Sequence, residues 1–222
     1  MSLNIVFENA ELLILNKPYG LQVEPDKNGH PNLLAMAETY YKTSEDKNLF
    51  VVNRIDRPTS GLVLFSKKKK AYIDLQKQWS ENKVTKSYLA IVQGVLEQTE
   101  AELVHFVSKD LLNYKAKVFD VETGKDSKEA RLSYKVLQQN GPYSLLQVEL
   151  MTGRYHQIRA QLAHIGHPIW NDVLYGAEKV SEEVCIGLHC FKNVFLIPAS
   201  KARKELISLP FQHPAFKGFT II

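Results

Sequence analysis

Asp56 is the residue in this sequence best placed to do chemistry. It lies in the run Asn53-Arg54-Ile55-Asp56-Arg57-Pro58-Thr59-Ser60-Gly61, one carboxylate between two permanent cations. A nearby guanidinium favours the ionised carboxylate, the form that a nucleophile or general base requires. The same pattern also fits a turn aspartate bonded to adjacent backbone amides. A second concentration of polar groups is Thr152-Gly153-Arg154-Tyr155-His156-Gln157-Ile158-Arg159. His156 and Arg159 are three apart and share a helical face, and Ala160 and Ala163 would let that face approach another element closely. A small cationic face at a helix start suits a binding cleft, and a solvent-facing stripe fits the same spacing. Tyr88, in Lys86-Ser87-Tyr88-Leu89, is of a type usually found in a core. The run Lys67–Lys70 reads as a solvated face or as a contact to a polyanion backbone.

These residues need rigid elements to hold them. Apolar runs on either side of the Asp56 segment, Leu49–Val52 and Leu62–Phe65, read as buried strands, and Pro58 and Gly61 make the link between them a turn. Residues 3–16 predict a hairpin or two short strands, Leu33–Tyr41 a short helix, and 42–48 a polar, mobile stretch. Tyr72, Leu75 and Trp79 fall at helical spacing within 69–81. Lys86–Gly94 is a strand ended by glycine. Residues 96–130 are polar and irregular, with Tyr114–Val121 the best strand candidate. Arg131–Gln138 and Tyr143–Leu150 flank Asn140-Gly141-Pro142, a hairpin signal. Thr152 is placed to N-cap a helix over 153–165, ended by Gly166 and Pro168. Ile186–Leu188 and Asn193–Ile197 are further strands. Strands outnumber helices, which predicts an α+β mixed sheet in a single domain, 1–222.

With 45% hydrophobic and 23% charged residues, the 222-residue chain has the balance of a globular protein with a real core. A net charge of +4 is compatible with RNA but does not require it. Cys185 and Cys190 make no disulfide framework, which predicts reduced thiols in a cytoplasmic protein. Cys190 and His189 are adjacent on a strand and point to opposite faces, a poor nucleophile pair. His156, His164 and His167 lack metal-ligand spacing and an accompanying carboxylate, so no metal is expected. Neither a Gly-rich phosphate loop nor a Gly-x-Ser-x-Gly elbow is present, so no nucleotide cofactor is expected. No apolar run is long enough to span a membrane.

The Asp56 segment resembles the signature His-Arg-Leu-Asp-x-x-Thr-Ser-Gly-Leu of RNA pseudouridine synthases of the RluA type. The Thr152–Arg159 segment, with His164-Ile165-Gly166-His167-Pro168 and Asp172-x-Leu174-Tyr175-Gly176, is similar to that family's second signature. Lys17-Pro18-x-Gly20, Lys86-x-Tyr88 and Leu188-His189 resemble three further motifs, and all fall in family order. The resemblance implies the family's mixed, mainly antiparallel sheet with flanking helices and a central catalytic cleft. It also implies a cofactor-free isomerase acting on uridine in tRNA or rRNA. Asp56 would be the nucleophile or essential base, Arg159 its paired cation, and Tyr88 the group that stacks on the base and is suspected of proton transfer. Leu188 would pack on the base, and Arg54 would fill the space left by a flipped nucleotide. Lys17, His156 and Arg154 complete the RNA- and uracil-facing set, with Lys17 also supporting the site's wall. A monomer is expected, with no N-terminal RNA-binding domain before the catalytic one. Asn53 stands where the family usually has histidine, and Ile55 replaces leucine.

Two rivals are a non-catalytic RNA-binding module on the same scaffold and a hydrolase acting on a glycosidic bond. Retention of Asp56, Tyr88 and Arg159 together argues against the first. The second normally needs paired carboxylates, and none is placed near Asp56 in the sequence.

Overall fold

The computed structural model describes residues 3–41 and 48–221 and divides into two compact units. One comprises Met1–Thr85 and Cys190–Pro210, the other Lys86–His189 and Phe211–Ile222. All but the last residue of the polar stretch 42–48 lies outside the described residues.

In the first unit, β1 (Ile5–Glu8) and β2 (Leu12–Lys17) form the expected antiparallel hairpin. The Asn9 side chain closes it by accepting from the amides of Glu11 and Leu12. Helix α1 covers Leu33–Tyr41, as the sequence predicts. A two-residue strand, β3 (Phe50–Val51), precedes the Asp56 segment, and β4 (Ser60–Ser66) follows it. β4 pairs antiparallel with β2 from Leu12↔Ser66 to Lys17↔Gly61. Leu12–Leu15 and Leu62–Phe65 are wholly buried, so both faces of these strands are covered, which is why they read as unbroken apolar runs. Helix α2 (Lys69–Ser80) buries Ala71 and Leu75, with Tyr72 stacked on Phe50. Lys67 departs from the solvated-run reading. Its side chain is nearly buried, bonded to Glu8 and the Asn9 carbonyl, while Lys68–Lys70 are exposed.

In the second unit the strands are β5 (Thr85–Gln93), β6 (Glu100–Asp110), β7 (Lys115–Phe119), β8 (Lys128–Asn140) and β9 (Tyr143–Leu150). Their order is β5-β9-β8-β6-β7, and every neighbouring pair is antiparallel. β6 corrects the reading of 96–130 as irregular. Its inward residues Ala101, Leu103, His105 and Val107 alternate properly, but an inward histidine and outward Val104 and Phe106 blur the period. Register places Tyr88, Val148, Tyr134 and Ala101 in one cross-strand row. Two positions further along β8 and β6, Leu132 pairs with Leu103, and two further still Ala130 pairs with His105, continuing the same face. Helix α3 (Gln157–His164) packs on that face, its Ala160 clustered with Val107, Ala116 and Ala130.

The two strands expected in 186–197 are one, β10 (Leu188–Leu196). Its Lys192–Leu196 part pairs with β11 (Arg203–Ile207), an edge strand whose charged residues hid it in the sequence. β10 also neighbours β4. There the backbones approach so closely that a Cβ on Gly61 would fall 2.3 Å from the Cys190 carbonyl oxygen. Together these elements form the expected mainly antiparallel α+β architecture with three α-helices among the described residues.

Candidate active site

The first unit carries Asp56, Arg54 and Lys17 on two adjoining turns. Asp56 is half-buried and opens a tight turn in which the Thr59 amide donates to the Asp56 carbonyl, 3.1 Å. Asn53 anchors the start of this loop to β4: its Nδ2 donates to the Leu62 carbonyl, 3.2 Å, and its Oδ1 accepts from the Leu64 amide, 2.8 Å. A short amide side chain thus imitates a strand neighbour at the position where the family usually has histidine.

Lys17 ends β2 with no exposed surface. Its Nζ donates to the carbonyls of Pro18 (2.9 Å), Leu21 (2.5 Å) and Arg57 (3.2 Å). Three acceptors match the three protons of an ammonium group. Burial pulls its pKa down to about 7, opposed by the negative charge of Asp56 and reinforced by Arg57. The expectation that Lys17 faces RNA is therefore corrected: a buried ammonium holding three carbonyls is a strut for the Asp56 turn. Arg57 adds a bond from its Nε to the Gly20 carbonyl, 3.0 Å. Arg54 points outward, paired with Glu24 at 2.7 Å.

The second unit carries Tyr88, Arg159, Leu188, His156 and Arg154. Tyr88 is 8% exposed and lies on the sheet face that α3 covers. Leu188, the first residue of β10, is buried. The helix begins later than expected and Thr152 does not cap it. His156 occupies the cap position in a left-handed conformation, φ 50°. The Thr152 hydroxyl accepts from the Arg131 amide and donates to Gln157 Oε1, 2.8 Å. Gln157 instead braces the segment leading into the helix, its Oε1 accepting from the Arg154 amide at 2.9 Å. Residues 157–162 are all buried, so the solvent-facing alternative for this segment falls. Gln161 has no exposed surface.

Arg159 is 4% exposed and held on two sides. Its Nε and Nη2 donate to the two carboxylate oxygens of Asp172, at 2.7 and 2.9 Å. Its Nη1 lies 3.0 Å from His156 Nε2. His156 stacks on Tyr155, ring centroids 3.9 Å apart. Arg154 is exposed and bonds the Glu129 carbonyl through Nε.

Residues 11–164, which contain Asp56, Tyr88 and Arg159, match the family model described as RNA pseudouridylate synthase. The chain belongs to the RNA pseudouridylate synthase family. It is 37% identical over 176 residues to the ribosomal large subunit pseudouridine synthase C of Buchnera aphidicola, covering 78% of this chain and 54% of that protein. It is 36% identical over 176 residues to the ribosomal large subunit pseudouridine synthase D of Nitrosomonas europaea, covering 78% and 50%. The chain thus spans about half the length of these relatives. A solved structure, human RNA pseudouridylate synthase domain containing 1, has the same fold. Its TM-score is 0.77 at 21% identity, covering 94% of this chain and 83% of that one.

One cluster in this family member was not legible as such. A carboxylate does accompany His164: Asp120 Oδ1 lies 2.8 Å from His164 Nε2 and 3.9 Å from His105 Nε2. The ligand atoms of all three lie within 4.8 Å of one another. A metal here would need the lone pair of His105 Nε2. Hydrogen bonding puts a proton there instead. Gln157 Nε2 donates to the Arg131 carbonyl and to Gln161 Oε1. Gln161 Nε2 therefore donates to the Ala130 carbonyl and to His105 Nδ1. With Nδ1 accepting, neutral His105 carries its proton on Nε2. Burial also lowers the His105 pKa, with the nearby His164 charge adding to the effect. The trio fits a hydrogen-bonded cluster, not a metal centre. Asp172 and Tyr175 were visible only as motif letters, because nothing in their spacing points thirteen residues back to Arg159.

Proposed function

We propose that this chain is an isomerase that converts uridine in RNA to pseudouridine, with Asp56 as its nucleophile or essential base. The observation that carries the reading is the match over residues 11–164, supported by an Asp56 turn anchored through Asn53, Lys17 and Arg57. The reaction breaks the bond from uracil N1 to ribose C1′, turns the base, and joins C5 to C1′. C5 then gives up its proton and N1 gains one, so no net oxidation or reduction occurs. A rigid turn suits this work, since a carboxylate displaced by about 1 Å can cost 100-fold in rate.

In this reading Arg159 is the cation that partners Asp56 in the reaction, as the family resemblance implies. Tyr88 stacks on the target base and takes part in proton transfer, and Leu188 packs against the base. Arg54, 72% exposed at its side chain, enters the space vacated by the flipped nucleotide, and Arg154 and His156 contact the RNA. The substrate is a structured RNA, tRNA or rRNA, and the names of the two bacterial relatives favour large-subunit rRNA. Two buried free thiols suit a cytoplasmic setting.

The test is tritium release from RNA carrying 5-³H-uridine. Wild-type protein releases tritium, and Asp56→Asn lowers the rate by about 1,000-fold or more. Release unchanged by that substitution would remove Asp56 from its role.

A further inference from the structure

We infer that Asp172, at the N-cap of the short 3-10 turn Val173–Tyr175, and Tyr175, at its end, are positioning residues that aim the Arg159 guanidinium. The inference rests on the reading of Arg159 given above. Asp172 is 2% exposed and takes the Nε–Nη2 edge of Arg159 with both carboxylate oxygens, a bidentate geometry that fixes the plane of the guanidinium. A lone buried arginine on a helix would keep several rotamers, and the second partner removes that freedom.

Tyr175 acts from two directions. Its ring lies beneath the guanidinium, 5.1 Å from Cζ to the ring centroid. Its hydroxyl also sets the histidine on the other flank. Arg159 Nη1 can only donate, so His156 Nε2 accepts and His156 carries its proton on Nδ1. That proton points at Tyr175 Oη, 3.0 Å away. The same oxygen accepts from the Ala116 amide of β7 at 2.7 Å, tying the ring to the sheet. His156 is thereby fixed between the guanidinium on one side and the Tyr175 hydroxyl on the other.

The turn itself is built to hold its place. The Tyr175 and Ala177 amides donate to the Asp172 carbonyl, and Gly176 takes φ 91°. Asn171, just before, accepts from the amides of Val180 and Ser181 and donates to the Cys185 carbonyl. A loop of some fifteen residues is thus drawn around the Asp172 carboxylate that grips Arg159.

The experiment compares kcat and KM for tritium release in wild type, Asp172→Asn, Arg159→Gln and the double variant, with circular dichroism as a check of fold. Asp172→Asn is expected to lower kcat about 10- to 100-fold with KM within about threefold, as for other groups that orient a working side chain. In the Arg159→Gln background the same change is expected to cost less than about twofold, because Asp172 acts through Arg159. A folded Asp172→Asn with wild-type kcat, a loss confined to KM, or a full additive loss in the double variant each overturns the inference. Wild-type kcat in Arg159→Gln removes the role of Arg159 itself and the inference with it, an outcome distinct from the other three. Should Asp172→Asn fail to fold, Tyr175→Phe decides: a fall in kcat of about fivefold at unchanged KM supports the assignment, and an unchanged kcat overturns it.

Discussion

The Asp56 turn and the Arg159 segment are held by opposite means. Around Asp56 the anchors end on backbone: Lys17 binds three carbonyls, Arg57 a fourth, and Asn53 a carbonyl and an amide. Around Arg159 the anchors are side chain to side chain: Asp172, His156, and Tyr175 behind them. Backbone anchors set the path of the chain, so damage to them spreads through the first unit's fold. Side-chain anchors set one rotamer, so damage to them reaches the chemistry first. The first region should therefore fail by unfolding and the second by losing rate while still folded.

The largest expected effect lies in the first region and involves no hydrogen bond. Gly61→Ala places a Cβ 2.3 Å from the Cys190 carbonyl oxygen and 2.5 Å from its nitrogen, at φ 113°. Backbone stands on both sides, so neither can move cheaply, and a cost above about 4 kcal/mol is expected. Expression should give no soluble folded protein; a variant that melts like wild type would show that β4 and β10 can part, and would weaken the contrast.

Next in size is Lys17→Met. It keeps the length of the side chain but leaves three carbonyls without their donor, at about 1–3 kcal/mol each before the removed burial of charge is credited. A net loss of about 2–4 kcal/mol is expected, read by urea unfolding with Trp79 reporting on the first unit in a Trp170→Phe background. The pH dependence carries the sign. The folded pKa is lowered to about 7, below the unfolded value, so between the two the unfolded chain binds the extra proton. Wild-type stability should then gain about 1–2 kcal/mol relative to Lys17→Met as pH rises from 7 to 9. A difference independent of pH would mean that the three carbonyls hold the ammonium charged throughout.

The two regions were not equally legible in the sequence. Leu12–Leu15 and Leu62–Phe65 are apolar throughout because both faces are covered, and Pro58 and Gly61 mark the turn, so the strands around Asp56 and the turn itself followed from pattern. Helix α2 followed from Tyr72, Leu75 and Trp79. The second unit hid more. α3 buries Gln157 and Gln161 among polar partners from β6 and β8 and Arg159 against Asp172, and a polarity pattern reads buried polar residues as exposed. Thr152 has the chemistry of an N-cap, yet tertiary contact with Arg131 diverts its hydroxyl. Lys17 was found as a motif letter, but its burial could not be, because lysine is almost never fully buried.

The smallest expected effect lies at the exposed edge of the first region and sharpens the contrast from below. Arg54 and Glu24 pair at 2.7 Å with side chains 72% and 40% exposed. Unlike Lys17, neither touches the backbone of another element in that pair, and water screens both charges. Glu24→Gln is therefore expected to change stability by less than about 0.5 kcal/mol. Its effect should appear in RNA binding instead. If Arg54 has to leave Glu24 to reach RNA, removing the carboxylate should tighten binding about two- to threefold at low salt, the gain fading as salt rises through the range where exposed charges are screened. A loss of stability comparable to that of Lys17→Met would show that the loop's outer edge bears structural strain as its inner edge does, and the division between backbone strut and surface tool within this one turn would fall.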